Sequence, residues 1–261
     1  MTLIERAQTY FRAVAGRMYE SVPVPPFTVF IHPDTDFRFF NYAIPDQPVG
    51  GSLNAPLARL RTVFQDRLRT PRFEFVEGFA PELASALEAA GFIEESRTQL
   101  MVCTPETYQS APAVPDLMLV PLTPQAPDDD LVAFLATQRQ AFGGDPAEPV
   151  AQADVARFRQ SIGGTHSVLA RMINGGTEQP VGIGSFLAPI SGLTEVAGIG
   201  TVPAYRRRGV AAALTAKLVQ QAFAHGVEMA LLSAADQQAG RVYERVGFRT
   251  IGAMLAYSES E

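Results

Sequence analysis

The sequence predicts an α/β (α+β) protein built from two copies of one fold, and three observations lead to this expectation. Strand-like and helix-like segments alternate along all 261 residues. A helix-like segment that ends in Gly-Phe occurs twice, at residues 91–92 and 247–248, and aligning the two dipeptides superimposes the neighbouring elements at a constant offset. Between the copies, Thr104–Asp116 is rich in proline and small polar residues, has no periodicity and is typical of a linker.

The first copy is expected over residues 1–112. Its shorter apolar segments have the lengths and the bounding turn residues of strands, and two longer segments have helical spacing. The predicted elements, in order, are the strands FTVFIH and FRFFNYAI, the helix LARLRTVFQDRL, the strand RFEFVEG, the helix PELASALEAAGF and the strand SRTQLMVC.

The second copy is expected over residues 113–261. Three aspartates at residues 128–130 suit the positive end of a helix that begins there. An Asn-Gly-Gly turn at residues 174–176 tolerates positive φ and joins two hairpin strands, and a long helix is expected over residues 207–225. The other predicted elements are the strand LMLVPL, a helix over 152–162, the strands HSVLARMI, PVGIGSFLAPI, LTEVAGIGTV and MALLSAA, the helix DQQAGRVYERV and the strand FRTIGAMLAY.

The composition limits the class of protein. Hydrophobic residues make up 47% of the chain, and 18% charged residues with a net charge of −6 favour neither disorder nor general nucleic-acid binding. The single cysteine, Cys103, has apolar neighbours that predict a buried strand thiol rather than a nucleophile. Glu5 and Arg6 interrupt any signal-peptide core, and no apolar run is long enough to span a bilayer. We therefore expect a soluble, cytoplasmic monomer or homodimer without nucleic-acid or membrane partners.

The segment Arg206–Ala211 follows a strand and opens a helix. The first amides of a helix lack intrahelical partners, and the helix dipole adds about half a positive charge there. Gly209 has no Cβ, so a phosphate can approach the backbone closely, and Ala211 keeps the next amide equally open. The segment is therefore either a pyrophosphate site or an ordinary capped helix with solvated basic residues.

Two motifs in this half resemble those of the GNAT (Gcn5-related N-acetyltransferase) superfamily. The acetyl-CoA loop of the family, Gln/Arg-x-x-Gly-x-Gly/Ala, is matched by residues 206–211. A second motif, Asn-x-x-Ala-x-x-x-Tyr-x-x-x-Gly-Phe, appears as DQQAGRVYERVGF over residues 236–248. The motifs occur in the order of the family, and the resemblance covers residues 116–261. It implies two GNAT-like domains, each a mixed, mostly antiparallel twisted sheet flanked by helices.

The resemblance implies an acetyl-CoA site and no metal. In the family, the strand before the loop carries a bulge and parts from the next strand, and Gly198 and Gly200 suit such a bulge. Asp236 would lie beside the pantetheine arm unless it caps its helix instead. The other implied contacts are Ile199, Gly200 and Thr201 for the pantetheine arm, and Arg207, Arg208, Gly209, Val210, Ala211 and Ala212 for the pyrophosphate.

The resemblance also implies two catalytic residues. Tyr243 has the general-acid position of the family. A tyrosine with an ordinary pKa of about 10 can protonate a thiolate whose conjugate acid has a pKa of about 8.5. Glu195 matches the position at which several histone acetyltransferases of the family carry their base. His166 and His225 are alternative bases that no motif supports.

The first copy lacks these features. Its segment PVGGSLNAPLARL keeps glycines but has no arginine in the loop register, and Leu87 occupies the position equivalent to Tyr243. Because a leucine cannot donate a proton, we expect a degenerate domain that supports the active copy or forms a wall of its substrate cleft.

The predicted function is acetyl-CoA-dependent transfer of an acetyl group to a primary amine of a small molecule, by direct attack in a ternary complex. Two alternatives stay open. One is a module that binds or senses acyl-CoA, or scaffolds a partner, without turnover, and the presence of Tyr243 argues against it. The other is transfer to a protein lysine or N-terminus, and an extra domain would more naturally narrow the cleft than admit a broad protein surface.

Overall fold

The structure is a computed structural model that describes residues 1–259, and in it the chain forms two compact units. Unit 1 comprises Met1–Leu100, Ser233–Asp236 and a segment that begins at Thr250. Unit 2 comprises Met101–Leu232 and Gln237–Arg249. The domain boundary between residues 112 and 113 was predicted from the repeat in the sequence. It differs in kind from this division into compact units, and it stays a prediction.

Helices and strands alternate along both halves of the described chain. In the first half they are α1 (Leu3–Met18), β1 (Glu20–Val24), β2 (Phe27–Ile31), β3 (Tyr42–Pro45), α2 (Asn54–Gln65), β4 (Arg72–Val76), α3 (Leu83–Ala89) and β5 (Phe92–Cys103). In the second half they are β6 (Leu117–Leu122), α4 (Asp128–Ala141), α5 (Gln152–Ser161), β7 (Thr165–Asn174), β8 (Thr177–Leu187), β9 (Leu193–Thr201), α6 (Val210–Ala224), β10 (Met229–Ala234), α7 (Gln237–Glu244) and β11 (Arg249–Glu259).

The sheet of unit 1 has the strand order β1-β2-β3-β4-β11-β5. Strand β2 pairs antiparallel with β1 and β3, β3 pairs parallel with β4, and β11 pairs antiparallel with β4. Apolar side chains of the strands and of α2 and α3 form the core of this unit. The core includes Phe27, Phe64, Phe73, Leu57, Leu60, Leu83, Leu87, Leu255 and Tyr257.

The sheet of unit 2 has the strand order β6-β7-β8-β9-β10, and only the β9–β10 pair among its described strands is parallel. Helices α4 and α5 cover one face, where Phe134 packs with Leu169 and Ile183. Helix α6 covers the other face so closely that a Cβ at Gly182 or Gly184 would lie within 3 Å of its side chains. The predicted mixed, mostly antiparallel sheets flanked by helices are therefore confirmed.

Two features of unit 1 differ from the sequence-based expectation. Helix α1 and strand β1 were not predicted. The segment FRFFNYAI was predicted as one strand, which is wrong, because Arg38–Phe40 form a 3₁₀ turn before β3. The side-chain amide of Asn41 donates hydrogen bonds to the backbone oxygens of Thr35 and Phe37, and these bonds hold the segment in a turn.

The segment predicted as a linker, Thr104–Asp116, contains no helix or strand but packs on unit 2 as a strap. The amide of Gln109 donates to the carbonyl oxygen of Val246, at 3.0 Å. The hydroxyl of Tyr108 donates to the carbonyl oxygen of Ala216 in α6, at 3.3 Å. The strap thus crosses α6 and the turn that follows α7. The low periodicity and high proline content of the segment do not indicate this packing.

Gly247→Ala tests how far the strap stabilises unit 2. The added Cβ would lie 1.9 Å from the carbonyl oxygen of Thr107, at a φ of +97°. We expect the free energy of unfolding, measured with urea, to fall by about 3 kcal/mol or more. Gly226→Ala is the control, because Gly226 has a φ of +80° and no atom within 4 Å of an added Cβ. It should cost about 1–2 kcal/mol, and equal losses in both variants would contradict a stabilising strap.

Candidate active site

The parallel strands β9 and β10 part in the middle of unit 2. Residues 193–195 of β9 run beside residues 229–231 of β10, and no register pair joins the two strands beyond Glu195 and Leu231 in the described chain. From Val196 to Thr201, β9 keeps its antiparallel partner β8. The opposite backbone edge of these residues is thereby released from the sheet, and its amides and carbonyls require other partners.

The predicted bulge lies in this released part of β9. The register between β8 and β9 shifts by one residue, so that Gly198 and Ile199 both face Gly184. Gly198 has a φ of +63° and no atom within 4 Å of an added Cβ, as a glycine bulge requires. Gly200 has a different reason to be glycine, because a Cβ there would lie 2.8 Å from the Cβ of Ala141 in α4. The close approach of α4 therefore explains Gly200.

The turn between β9 and α6 ends in two left-handed residues. Arg207 has a φ of +61° and Gly209 a φ of +87°, so the helix begins at Val210 and the predicted start at residue 207 is wrong. Among residues 1–259, no side chain caps α6, and its first internal hydrogen bond runs from the amide of Ala213 to the carbonyl of Gly209. The amides of residues 210–212 thus form the positive end of a 15-residue helix.

The three arginines of the turn have different surroundings. Arg206 donates to the carbonyl oxygens of Thr201, at 3.2 Å, and Ala141, at 3.0 Å, and so braces the turn against β9 and α4. The guanidinium carbon of Arg208 lies 4.9 Å from the ring centroid of Tyr205. Arg207 is exposed beside them. The arrangement leaves Arg207 and Arg208 as the candidates for an anion, and sequence reasoning did not identify Arg206 as a brace.

Two further residues support the turn from the hairpin β7–β8. The hydroxyl of Tyr205 donates to Oε1 of Gln179, at 2.7 Å, and accepts from Nδ2 of Asn174, at 3.2 Å. These bonds fix the ring on which Arg208 lies. The turn is also approached by the strap, because a Cβ at Gly209 would lie 3.0 Å from Cγ2 of Val114. No sequence motif signals these long-range contacts.

Thr201 supplies an independent sign of a missing polar partner. Its Oγ1 atom is buried and has no hydrogen-bond partner among the described residues. A buried hydroxyl without a partner is costly in a folded protein and is commonly satisfied by a ligand or a water molecule. Because Thr201 ends β9 directly before the arginine turn, this atom lies on the same stretch of chain as the uncapped amides of α6.

The register of β9 places Glu195 on the face of the sheet that α4 and α5 cover. Ile183 faces α4, and side chains two residues apart on a strand share a face. Ser185 therefore lies on the face that α4 covers. Ala197 of β9 lies opposite Ser185 and shares its face, and Glu195, two residues before Ala197, shares it as well. Glu195 is half-buried and belongs to the last pair at which β9 and β10 run together.

The two histidines of this unit lie on the other face. The ring of His166 stacks on Phe186, with centroids 4.3 Å apart, and lies 4.7 Å from the ring of His225 at the end of α6. Burial and the neighbouring His225 lower the pKa of His166, which favours its neutral form. The sheet therefore separates both histidines from Glu195, which weakens them as alternative bases.

A cavity of about 510 Å³ lies between α4 and α5, on the same face as Glu195. Its apolar wall includes Phe142, whose ring would lie 3.3 Å from a Cβ at Gly200. One ring thus borders both the cavity and β9. The other lining residues are Leu135, Gln138, Arg139, Val150, Asp154, Arg157, Phe158 and Ser161.

Tyr243 lies in the last turn of α7, which contacts α6. The amide of Phe248 donates to the carbonyl of Tyr243, at 3.1 Å, and the amide of Gly247 donates to that of Glu244, at 3.0 Å. With Gly247 at a φ of +97°, these bonds form a Schellman helix end, and the rings of Tyr243 and Phe248 pack with centroids 6.1 Å apart. The Tyr-x-x-x-Gly-Phe spacing is therefore that of a Schellman helix end. This helix end fixes the position of the half-buried tyrosine.

Two other residues singled out in the sequence, Asp236 and Cys103, lie outside the β9–α6 region. Asp236 belongs to the segment Ser233–Asp236 that groups with unit 1, and its predicted role beside the pantetheine stays a prediction. Cys103 is buried, as predicted, and burial raises the pKa of its thiol. Within residues 1–259, no group of three or more His, Cys, Asp or Glu side chains is arranged to hold a metal ion. In the same range, no helix has the length and apolar character needed to cross a membrane.

Parted parallel strands that lead into an uncapped helix are the arrangement that the resemblance to the GNAT superfamily implied for an acetyl-CoA site. Residues 133–248 match the acetyltransferase (GNAT) family, so that this part of the chain is a GNAT domain and the protein is an acyltransferase. The chain is 27% identical to a GCN5-related N-acetyltransferase from Kribbella flavida, with 100% of this chain and 97% of that chain covered and a TM-score of 0.81. The search of curated proteins found no match.

Two more distant structures share the fold. A tandem GNAT protein from the clavulanic acid biosynthesis pathway is 16% identical, with 89% of this chain and 77% of that chain covered and a TM-score of 0.64. A GCN5-related N-acetyltransferase from Sphaerobacter thermophilus is 17% identical, with 90% and 76% covered and a TM-score of 0.62. The GNAT fold and its tandem form are therefore found in proteins similar to this chain.

Arg206→Ala tests the brace. Losing the two hydrogen bonds to backbone oxygens should lower the melting temperature of unit 2 and weaken desulfo-CoA binding about tenfold, because the turn loses its shape. Arg207→Gly is the contrast, since glycine adopts the φ of this residue freely and only the side chain is lost. It should weaken binding without lowering the melting temperature. Unchanged stability and affinity in Arg206→Ala would contradict the assignment.

Proposed function

We propose that the protein transfers the acetyl group of acetyl-CoA to a primary amine of a small molecule, by direct attack in a ternary complex. The observation that carries this proposal is the released edge of β9, which leads through the arginine turn to the uncapped amides of α6. A pantetheine arm has amide groups that can pair with a strand edge, and a pyrophosphate is the anion that suits a helix N-terminus.

The proposed acetyl-CoA contacts follow the chain. Ile199, Gly200 and Thr201 would lie along the pantetheine arm, and one of their amides would polarise the thioester carbonyl. The carbonyl oxygen of Thr201 already accepts from Arg206, so its buried hydroxyl and its amide are the groups offered to the substrate. The pyrophosphate would lie on the amides of Val210, Ala211 and Ala212, with Gly209 supplying the left-handed turn before them and Arg207 and Arg208 adding charge. Asp236 keeps its proposed place beside the pantetheine.

The proposed chemistry forms a bond between the amine nitrogen and the carbonyl carbon and breaks the carbon–sulfur bond. Glu195 would accept the proton that the ammonium loses before attack, and Tyr243 would donate its hydroxyl proton to the departing sulfur. The position of Glu195 supports this role, because it belongs to the last residue pair before β9 and β10 part and lies on the face that α4 and α5 cover. After attack the nitrogen has a second proton to lose, and this proton would restore the hydroxyl of Tyr243, so that the products are the acetylated amine, the CoA thiol and one proton held by Glu195.

The cavity between α4 and α5 supports a small acceptor. Its volume of about 510 Å³ lies within the range of small-molecule sites, and its lining combines apolar rings with Arg139, Arg157 and Asp154, whose carboxylate pairs with Arg157 at 3.2 Å. Phe142 connects this cavity to β9. The size of the cavity and its apolar rings favour a small acceptor with an apolar body over an extended polypeptide. A cytoplasmic location stays a prediction.

Tyr243→Phe should lower kcat ten- to a thousandfold, on the order expected for loss of a general acid, with the affinity for acetyl-CoA nearly unchanged. The measurement is CoA release from acetyl-CoA in the presence of a panel of small amines. Tyr108→Phe is the matched control, because its hydroxyl donates to the carbonyl oxygen of Ala216 in the α6 backbone, and it should retain kcat. An unchanged kcat in Tyr243→Phe would remove this residue as the acid. Binding of acetyl-CoA without turnover of any amine would favour the non-catalytic alternative.

Gly209→Glu should abolish binding of desulfo-CoA in a calorimetric titration, because it places bulk and negative charge at the end of α6. Gly176→Glu adds the same side chain at a φ of +85°, in the open turn between β7 and β8, and should bind normally. The pair separates loss of the site from the general cost of a glutamate at positive φ, and an unchanged melting temperature of Gly209→Glu would show that the nearby contact with Val114 is not the cause. Undiminished binding by Gly209→Glu would refute the phosphate assignment.

A further inference from the structure

Unit 1 contains the same kind of strand parting as unit 2. Strand β3 runs parallel to β4, and Ala43 opposite Phe73 is the one register pair between them in the described chain. Strand β3 continues beside β2 as far as Pro45, which lies opposite Phe27. The backbone edge of β3 that faces β4 is therefore released after Ala43, as the edge of β9 is released after Glu195.

The gap between β3 and β4 is filled by one side chain of α1. Gln8 is 1% exposed. Its Nε2 donates to the carbonyl oxygen of Pro45, at 3.1 Å, and its Oε1 accepts from the amide of Val76, at 3.0 Å. A carboxamide has the same donor and acceptor as a peptide unit. Gln8 thus joins the two parted strands as one residue of an intervening strand would.

Several contacts hold α1 in this position. The helix starts with a capping box between Thr2 and Glu5, and Ala15 packs against Phe30 and Ile44 of the sheet. One turn after Gln8, Arg12 forms an ion pair of 2.6 Å with Asp46, the residue after β3. Gln8 is therefore placed by both ends of its helix and by a charged contact at the strand end.

The helix that follows β3 has also lost the features of a phosphate site. Counted from the first residue of each helix, Asn54 of α2 corresponds to Val210 of α6, Leu53 to Gly209 and Pro56 to Ala212. Leu53 carries a side chain where Gly209 has none, and proline has no amide hydrogen to donate. One of the three amides available in α6 is thus absent in α2.

We propose that α1 is a built-in substitute for a ligand in unit 1, so that the chain binds one acyl-CoA, in unit 2. This inference rests on the proposed function for the single site, whereas the closure of unit 1 by Gln8 stands apart from it. An incoming pantetheine amide would compete for the backbone groups that Gln8 occupies. Displacing Gln8 would leave a buried carboxamide without partners, which is unfavourable.

The first test is amide hydrogen exchange at Val76. In Gln8→Met, a change of similar size that removes both hydrogen bonds, the Val76 amide should exchange about tenfold faster or more. Gln65→Met makes the same change at an exposed position of α2 and should leave Val76 protected. If Gln8→Met does not fold, Gln8→Glu keeps the acceptor for Val76 and loses the donor to Pro45, and should retain protection. Fast exchange of Val76 in the wild type, or equal protection in Gln8→Met, would overturn the closure.

The second test is the number of binding sites for desulfo-CoA in the wild-type chain. We expect one site per chain, lost in Gly209→Glu and retained in Gln65→Met. Two sites in the wild type, or one site that survives Gly209→Glu, would overturn the proposal. No binding at all would instead contradict the proposed function, and the exchange of Val76 would then still decide the role of Gln8.

Discussion

The arrangement of both units depends on one constraint, which is that backbone groups released from a sheet need new partners. In each unit, two parallel strands run together briefly and then part. In unit 1 a side chain supplies these partners, because the carboxamide of Gln8 hydrogen-bonds to one carbonyl oxygen of β3 and one amide of β4. In unit 2, Arg206 takes the carbonyl of Thr201, and a buried hydroxyl beside it has no partner in the described chain. The same structural problem therefore has a closed solution in one unit and an open one in the other.

The released edge and uncapped helix of unit 2 require a rigid turn between β9 and α6. The turn after β9 contains a non-glycine residue, Arg207, at positive φ, which costs about 1–2 kcal/mol and has to be compensated by contacts. The brace formed by Arg206 and the anchoring of Tyr205 by the β7–β8 hairpin supply such contacts. A preformed turn keeps the first amides of α6 pointing in one direction before any anion binds. Preorganised donors of this kind avoid the cost of ordering a loop during binding.

The local parts of this account could be predicted from the sequence, and the long-range parts could not. The bulge at Gly198, the arginine turn and the Gly-Phe helix end each depend on residues a few positions apart, so motif spacing identifies them. The start of α6 was misplaced by three residues, because a positive φ at an arginine has no sequence signature. Gln8 and the strap over α6 were missed because their partners lie far along the chain.

Leu87 and Tyr243 occupy equivalent positions when the two halves of the sequence are aligned, but their burial differs. Leu87 is completely buried in the core of unit 1, whereas Tyr243 is half-buried and its ring packs with that of Phe248. The sequence alignment predicted the pair but not the different burial, since burial depends on what packs around each helix.

The central claim is that the released edge of β9 and the first amides of α6 hold acyl-CoA. The most direct measurement is a crystal structure of the protein with desulfo-CoA. The account predicts one molecule per chain, with the pantetheine along residues 199–201 and the pyrophosphate on the amides of residues 210–212. A molecule bound between β3 and β4, or one that leaves these amides and this edge untouched, would contradict it.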